Sequence, residues 1–271
     1  KKVTARSHPT TKVAGFPARG LIIKPVLQSI NLLPEQLAGK TVLDLGSGTG
    51  EKAVAFALYC KEAVGVELSD HSVKKARELA SKFKAKNVKF VQGDILQGLN
   101  SLGKFDIVIS SGVLHHLTDP YAGFLECTKH TKEGGLLSVE LYNSYGRFLT
   151  KAKRKAMALV PKEKKLDFAK TMYGTKSDAI AADYLLHPRE AVFSVSELLN
   201  WFETNRFTFE NVYRPITLRN YLWIAYNKVF GKSFFLLPKR KGSRLEHLLV
   251  QLLYWLPRER TLFMVGGKKS G

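Results

Sequence analysis

Apolar positions along the chain fall into two alternating patterns. Short apolar runs end in Gly, Ser or an acidic residue, and between them apolar residues recur every three or four positions. The short runs Thr41–Leu45, Ala63–Glu67, Val88–Gln92, Phe105–Ser110 and Leu136–Leu141 read as strands one to five. Lys52–Cys60, Ser69–Phe83 and Pro120–Thr131 read as the helices between them. Ser69 or Asp70 is the expected N-cap of the second, and Gly134-Gly135 the expected stop of the third. Strand, helix, strand at this spacing predicts a doubly wound α/β fold: a mainly parallel sheet with helices on both faces.

The pattern changes on either side of this block. Residues 1–20 are basic and broken by Pro9, Gly15, Pro17 and Gly20, and read as an arm. Residues 21–37 read as a helical lead-in interrupted by Pro25 and Pro34. After Tyr142, residues 144–187 are Lys-rich and helical in character. Ser194–Asn205 opens with a capping box, Ser194 followed three residues later by Glu197. Phe207–Arg214 alternates as a sixth strand, residues 216–258 form a second helical stretch, and Arg260–Gly266 reads as a last strand. Two late strands rejoining the first five make a seven-stranded sheet with helical cap insertions after strands five and six. The segments are then 1–37 (arm and lead-in helix), 38–143 (ligand-binding core), 144–193 (basic cap insertion), 194–215 (core helix and strand six), 216–258 (basic aromatic insertion) and 259–271 (last strand and tail).

Charge sharpens that division. The chain of 271 residues has a formal net charge of +20. Residues 38–143 hold 13 Lys and Arg against 12 Asp and Glu, so nearly all the excess lies outside the core. Such a bias favours an anionic partner, either a membrane surface or a nucleic acid. Residues 147–176 hold ten basic residues, and 216–258 interleave aromatic with basic side chains. That mixture suits phosphate contact with base stacking, an anionic bilayer, or an ordinary helical cap whose aromatics are core. No apolar run reaches the roughly 18 residues that span a bilayer. The chain starts at Lys1 and shows no signal-peptide pattern. Cys60 and Cys127 lack metal-ligand spacing and read as buried thiols inside helices. The expectation is a soluble cytoplasmic protein, with peripheral attachment to a membrane as its second option and no metal; the oligomeric state is left open.

Candidate chemistry gathers at the strand ends. Strand one runs into Gly46-Ser47-Gly48-Thr49-Gly50, a turn that lets backbone approach a ligand closely before a helix N-terminus. Asp44 lies two residues earlier, where a carboxylate can face a ligand's ammonium group. Glu67 ends strand two, placed to accept ribose hydroxyl protons. Gly93-Asp94 follows strand three, with an acceptor for an adenine amino group, and Ile95 can pack on the ring. A dinucleotide fold needs G-x-G-x-x-G. Here position 51 is Glu51, which would repel a pyrophosphate.

The motifs VLDLGSGTG (42–50), VGVELS (64–69), VQGDI (91–95) and FDIVISSGVLHHLTDP (105–120) resemble, in order and spacing, the class I S-adenosylmethionine-dependent methyltransferases. The resemblance covers about 100 residues and implies a Rossmann-like fold with S-adenosylmethionine as cofactor and S-adenosylhomocysteine as product. It implies that Gly46, Ser47, Gly48 and Gly50 line the methionine part and that Glu67 binds the ribose. Leu68, Asp94 and Ile95 would hold the adenine, and Ser110, Ser111 and Gly112 would run beside the methionine. The VLHHLTDP loop is similar to the branch acting on small molecules, quinones, lipids and some proteins.

Methyl transfer mainly needs the acceptor positioned in line. A base helps when the acceptor must lose a proton, and His115 and His116 are the candidates. The alternative reading is that both serve structure or touch only the cofactor. No Asn/Asp-Pro-Pro-aromatic motif follows strand four, and neither cysteine lies there, which marks down two nucleic-acid chemistries. Tyr142, Tyr145, Tyr184 and His187 are candidate acceptor-pocket residues, with Tyr173 and Glu190 nearby. A small-molecule or lipid-like acceptor is the first expectation. An RNA- or protein-directed methyltransferase is the alternative, and a non-catalytic cofactor-binding scaffold the third.

Overall fold

The computed structural model describes residues 19–147, 155, 157, 159–173, 190–231, 235–253 and 262–271. Helix α1 (Arg19–Ser29) leads through a 3-10 turn, Pro34–Leu37, into β1 (Thr41–Leu45). There follow α2 (Glu51–Ala57), β2 (Glu62–Glu67), α3 (Asp70–Lys82), β3 (Val88–Gln92), β4 (Phe105–Ser111), α4 (Pro120–Lys129) and β5 (Thr131–Tyr142). Helix α5 (Lys165–Tyr173) lies in the first insertion. Then come α6 (Val195–Thr204), β6 (Phe207–Val212), helices α7 (Leu218–Val229) and α8 (Arg244–Leu253), and β7 (Leu262–Lys269).

The seven strands form one sheet in the order β3-β2-β1-β4-β5-β7-β6. β7 runs antiparallel to β5 and β6, and the remaining pairs are parallel. The period-two alternation of the strands sorts side chains into two cores. Val42, Ile107, Ile109 and Met264 face α1 and α2, meeting Ile23, Val26, Leu27 and Phe56. Leu43, Leu45, Val108, Leu137, Val139 and Val265 face the other way, against Phe124 of α4 and Leu198 and Phe202 of α6. The expected doubly wound α/β architecture is therefore present.

Several boundaries differ from expectation. Helix α4 ends at Lys129, and Gly134-Gly135 lie inside β5 rather than stopping a helix. Thr131 already pairs with Phe105, and the ladder resumes at Ile107 with Leu136, so the glycines occupy a bulge. Helix α2 stops at Ala57, which leaves Cys60 in the following turn; it is buried, as is Cys127 in α4. Pro25 does not interrupt the lead-in, because α1 continues through it. Ser194 caps α6 and Glu197 returns the bond to the Ser194 amide, completing the capping box.

β7 carries Gly266 and Gly267 where helices press on both faces of the sheet. A Cβ at Gly266 would fall on the Ser29 backbone carbonyl, and one at Gly267 would stand 2.5 Å from the Phe202 ring. The end of α1 is anchored there, with the Ser29 and Ser138 hydroxyls 2.7 Å apart. Gly266→Ala should therefore destabilise the protein by about 2–3 kcal/mol, since backbone cannot give way as a side chain can. Urea unfolding measures this, and a change under about 0.5 kcal/mol would show that α1 does not pack this closely.

Candidate functional site

The carboxyl ends of β1, β2, β3 and β4 share one edge of the sheet. The glycine-rich turn is clamped to β2 by two bonds, from the Gly46 and Ser47 amides to the Val66 carbonyl (2.8 and 2.9 Å). Gly50 closes the turn at φ +86°, where a Cβ would stand 2.7 Å from both Ala76 and Phe90. Both demands require glycine. Glu67 is held by backbone on each side: its carboxylate accepts from the Gly48 amide and the Ser69 amide, each at 3.0 Å. One carboxylate thus ties the turn after β1 to the turn after β2, with lone pairs left for a ligand.

Asp44 is buried below this turn. Burial pushes its carboxyl up to about 6; nearby Lys52 pulls it down, while Glu67 and Glu51 push it further up. The Ser47 hydroxyl is also buried and, among the described residues, has no hydrogen-bond partner. A buried acceptor and an unsatisfied hydroxyl at a strand end suit a polar, cationic ligand group.

The end of β3 lies beside Glu67, with the Gly93 amide bonded to the Glu67 carbonyl (3.0 Å). Asp94 caps the turn Ile95–Gln97, accepting from the Leu96 amide at 2.9 Å. Ile95 is buried, whereas Leu68 is 65% exposed. An exposed leucine beside a fixed carboxylate offers a flat apolar wall and a polar edge.

The β4 end departs in part from the sequence reading. Ser110 is fully buried and its hydroxyl donates to the Leu45 carbonyl (3.1 Å), so its side chain joins β4 to β1 instead of lining a cleft. Ser111 donates to the Glu140 carboxylate, and the Gly112 amide bonds the Glu140 carbonyl (3.3 Å).

His115 and His116 occupy a 3-10 turn, Leu114–His116, beyond β4. His115 is buried, with its ring centroid 3.9 Å from that of Tyr142 and 4.3 Å from that of His116. His116 is half-buried. Behind Tyr142, the Arg147 guanidinium lies 3.8 Å from the ring centroid and pairs with Glu190; both charged side chains are buried. The chain returning from the first insertion builds this wall. Ala191 donates to the His115 carbonyl (2.8 Å) and Phe193 to the Tyr142 carbonyl (2.9 Å). Tyr145 is half-buried next to it, while Tyr184 and His187 lie outside the described residues.

Sequence reading missed the Arg147–Glu190 pair, because its partners stand 43 positions apart across an insertion. It also missed Glu140. The signal for that residue was an acidic side chain set between Val139 and Leu141 near the carboxyl end of a central strand.

Comparison with known proteins agrees with this geometry. A family model described as a methyltransferase domain matches residues 36–206. The chain belongs to that methyltransferase family. Its fold is that of the class I S-adenosylmethionine-dependent methyltransferases. An uncharacterized protein from Synechococcus sp. is 25% identical over 202 residues, covering 64% of this chain and 48% of that protein. A ubiquinone biosynthesis O-methyltransferase from Thiobacillus denitrificans is 34% identical over 100 residues, covering 36% of this chain and 43% of the relative. The structure of PKMT2 from Rickettsia typhi in complex with AdoHcy superposes with a TM-score of 0.62 at 15% identity, over 90% of this chain and 51% of that one. The chain thus spans about half the length of these proteins or less.

The buried Asp44 gives this methyltransferase domain a pH signature. Its folded-state pKa of about 6 lies above the unfolded value, so protonation stabilises the fold. That contribution is complete below about pH 4 and is lost as pH rises through about 6. Relative to Asp44→Asn, the ligand-free wild type should therefore lose roughly 3 kcal/mol between those limits. Urea midpoints across the range measure it, and parallel profiles for the two proteins would show Asp44 to be solvated.

Proposed function

We propose that the protein transfers a methyl group from S-adenosylmethionine to a small-molecule or lipid-like acceptor. The observation that carries this reading is the pair of fixed acidic groups around the glycine turn, Asp44 below it and Glu67 bonded across it. Asp44 would face the cofactor's ammonium group, and Gly46, Ser47, Gly48 and Gly50 would cradle the methionine part. The Ser47 hydroxyl would find there the partner that it lacks within the fold. Glu67 would accept both ribose hydroxyls. Leu68 and Ile95 would sandwich the adenine, Asp94 would take its amino group, and Ser111 with the Ser110 backbone would border the methionine. When bound, the cofactor supplies an electrophilic methyl on a sulfonium for in-line displacement.

The acceptor would enter beside His116; Tyr142, expected to line the acceptor pocket, is itself buried between His115 and Arg147 and acts through the histidines it packs on. His116 is the more accessible of the two histidines and is suited to take an acceptor proton, while buried His115 positions it by ring contact. The Arg147–Glu190 pair holds Tyr142 from behind, so the wall is rigid. A small or lipid-like acceptor gains support from the relative named for ubiquinone biosynthesis. We place the protein in the cytoplasm, with peripheral attachment to a membrane as the second option.

Radiolabelled S-adenosylmethionine added to a source-cell extract should label the lipid or small-molecule fraction. Glu67→Ala should abolish most of that label and weaken S-adenosylhomocysteine binding about ten-fold or more, because charge-assisted hydrogen bonds contribute about 1.5–3 kcal/mol. Label in RNA or protein would overturn the acceptor class. No label despite calorimetric cofactor binding would overturn the activity and favour a binding scaffold.

With an acceptor in hand, His116→Ala should lower turnover by roughly a hundred-fold or more while leaving S-adenosylhomocysteine affinity unchanged. A variant that loses cofactor affinity but keeps turnover would make His116 a binding residue.

A further inference from the structure

Helices α7 and α8 pack against each other, and each buries a mixed apolar and polar side while leaving a second apolar side exposed. The side of α7 that faces the protein packs Tyr221, Trp223 and Ile224 on the core and carries buried Asn220, which donates to the Pro238 carbonyl (3.2 Å), and buried Asn227, which donates to the Trp223 carbonyl of its own helix (2.7 Å). Its outward side carries Leu218, Leu222, Tyr226, Val229 and Phe230, exposed by 37% to 79%. Those positions follow i, i+4, i+8, i+11 spacing and so share one face of the helix. α8 repeats the arrangement. His247 and Gln251 point inward with Val250, while Leu245, Leu248, Leu249 and Leu252 are 40% to 65% exposed at i, i+3, i+4, i+7 spacing.

The inward polar groups explain why the helices cannot turn over. Gln251 accepts from Asn143 (2.9 Å) and from the Val195 amide (2.8 Å), tying α8 to the end of β5 and the start of α6. His247 bonds Ser196 (3.1 Å) and the Lys241 carbonyl (2.6 Å). Rotating α8 to bury its leucines would strand Gln251 and His247, and rotating α7 would strand Asn220, at a cost of about 1–3 kcal/mol each. The leucine faces are therefore held outward on two helices that touch, as exposed apolar surface of a kind that marks an interaction site.

Charge selects the occupant. The described residues 216–231 and 235–253 carry six Lys and Arg against one Glu. Lys239 and Lys241 pair with Glu210 and Glu203. Arg219, Lys228, Arg240 and Arg244 are exposed and have no carboxylate partner among the described residues. A second copy would bring the same cations and a net charge of +20 against them. An anionic bilayer meets both features at once, with headgroups for the cations and acyl chains for the leucines. We propose that the outward faces of α7 and α8 dock the protein on an anionic lipid surface. The basic rim draws it down, and Leu222, Tyr226, Leu248, Leu249 and Leu252 enter the interface.

The docking face does not depend on the acceptor class. A protein that binds vesicles but transfers no methyl group would leave it standing, and an active enzyme that ignores vesicles would remove it alone. The experiment is flotation with vesicles of equal parts phosphatidylglycerol and phosphatidylcholine, against phosphatidylcholine alone. Wild-type protein should float only with the anionic vesicles. The double variant Leu222→Glu with Leu249→Glu should partition at least ten-fold less, with S-adenosylhomocysteine affinity and unfolding midpoint unchanged. Should that variant fail to fold, Leu249→Cys carrying an environment-sensitive dye replaces it, with a blue shift on the anionic vesicles as the expected result (Cys60 and Cys127 are both buried). The proposal falls if wild type does not float, if the glutamates leave flotation unchanged, or if the dye does not shift. It also falls if light scattering finds a dimer that the glutamates dissolve.

Discussion

The rest of the site depends on where the sheet reverses its winding. The chain lays down β1, β2 and β3 in one direction, then returns to place β4 on the other side of β1. The connections leaving β1 and β4 therefore diverge, and a crevice opens at their carboxyl ends. Everything proposed for the cofactor and acceptor lies along that crevice or within two strands of it: Asp44 and the glycine turn on β1, Glu67 on β2, Asp94 after β3, and Ser111 and the histidine turn after β4. A parallel sheet leaves strand-end amides without ladder partners, and here Glu67 takes up two that flank the crevice. Removing Glu67 would therefore loosen the two turns that shape the crevice as well as delete a ligand contact.

The acceptor side obeys a different rule. It is built by chain returning from an insertion, and long-range pairs hold that return in place. Ala191 and Phe193 bond to His115 and Tyr142, and Glu190 meets Arg147. A buried ion pair gains little net stability over an apolar replacement, but losing one partner is costly. Such a pair is better at fixing one arrangement than at adding stability. Here the fixed arrangement is the Tyr142 ring, which sets the distance between the histidine turn and whatever enters beside it.

The core was legible because its information is local. The TVLDL run, the GSGTG turn, the acidic residues at 44, 67 and 94, and the Ser194–Glu197 capping box each declare themselves within a few residues. Errors arose where local signals served another purpose. Gly134-Gly135 looked like a helix stop because paired glycines end helices, but the same freedom serves a bulge in β5. Ser110 was expected beside a ligand from the resemblance alone; its hydroxyl is taken by the Leu45 carbonyl, which leaves only its backbone for that role. The Arg147–Glu190 and Asn143–Gln251 pairs were not legible, since each joins residues separated by an insertion and nothing in the intervening chain encodes the match.

The insertion between β6 and β7 shows how a local pattern can be correct and still mislead. Periodicity alone finds an amphipathic helix in 218–229 and another in 244–253, and the usual inference buries the apolar stripe. Here Asn220, His247 and Gln251 go inward beside Ile224 and Val250, because Asn143, Ser196 and the Pro238 carbonyl offer them partners, and a second apolar stripe is left outside. The choice is set by what the core presents, not by the helix. Each inward bond avoids a desolvation penalty comparable to burying one leucine. The polar network therefore competes with the apolar one on equal terms, and it needs no separate partner to form. The leucines left outside are a consequence of that outcome, and their exposure becomes useful only when something apolar and anionic lies against them.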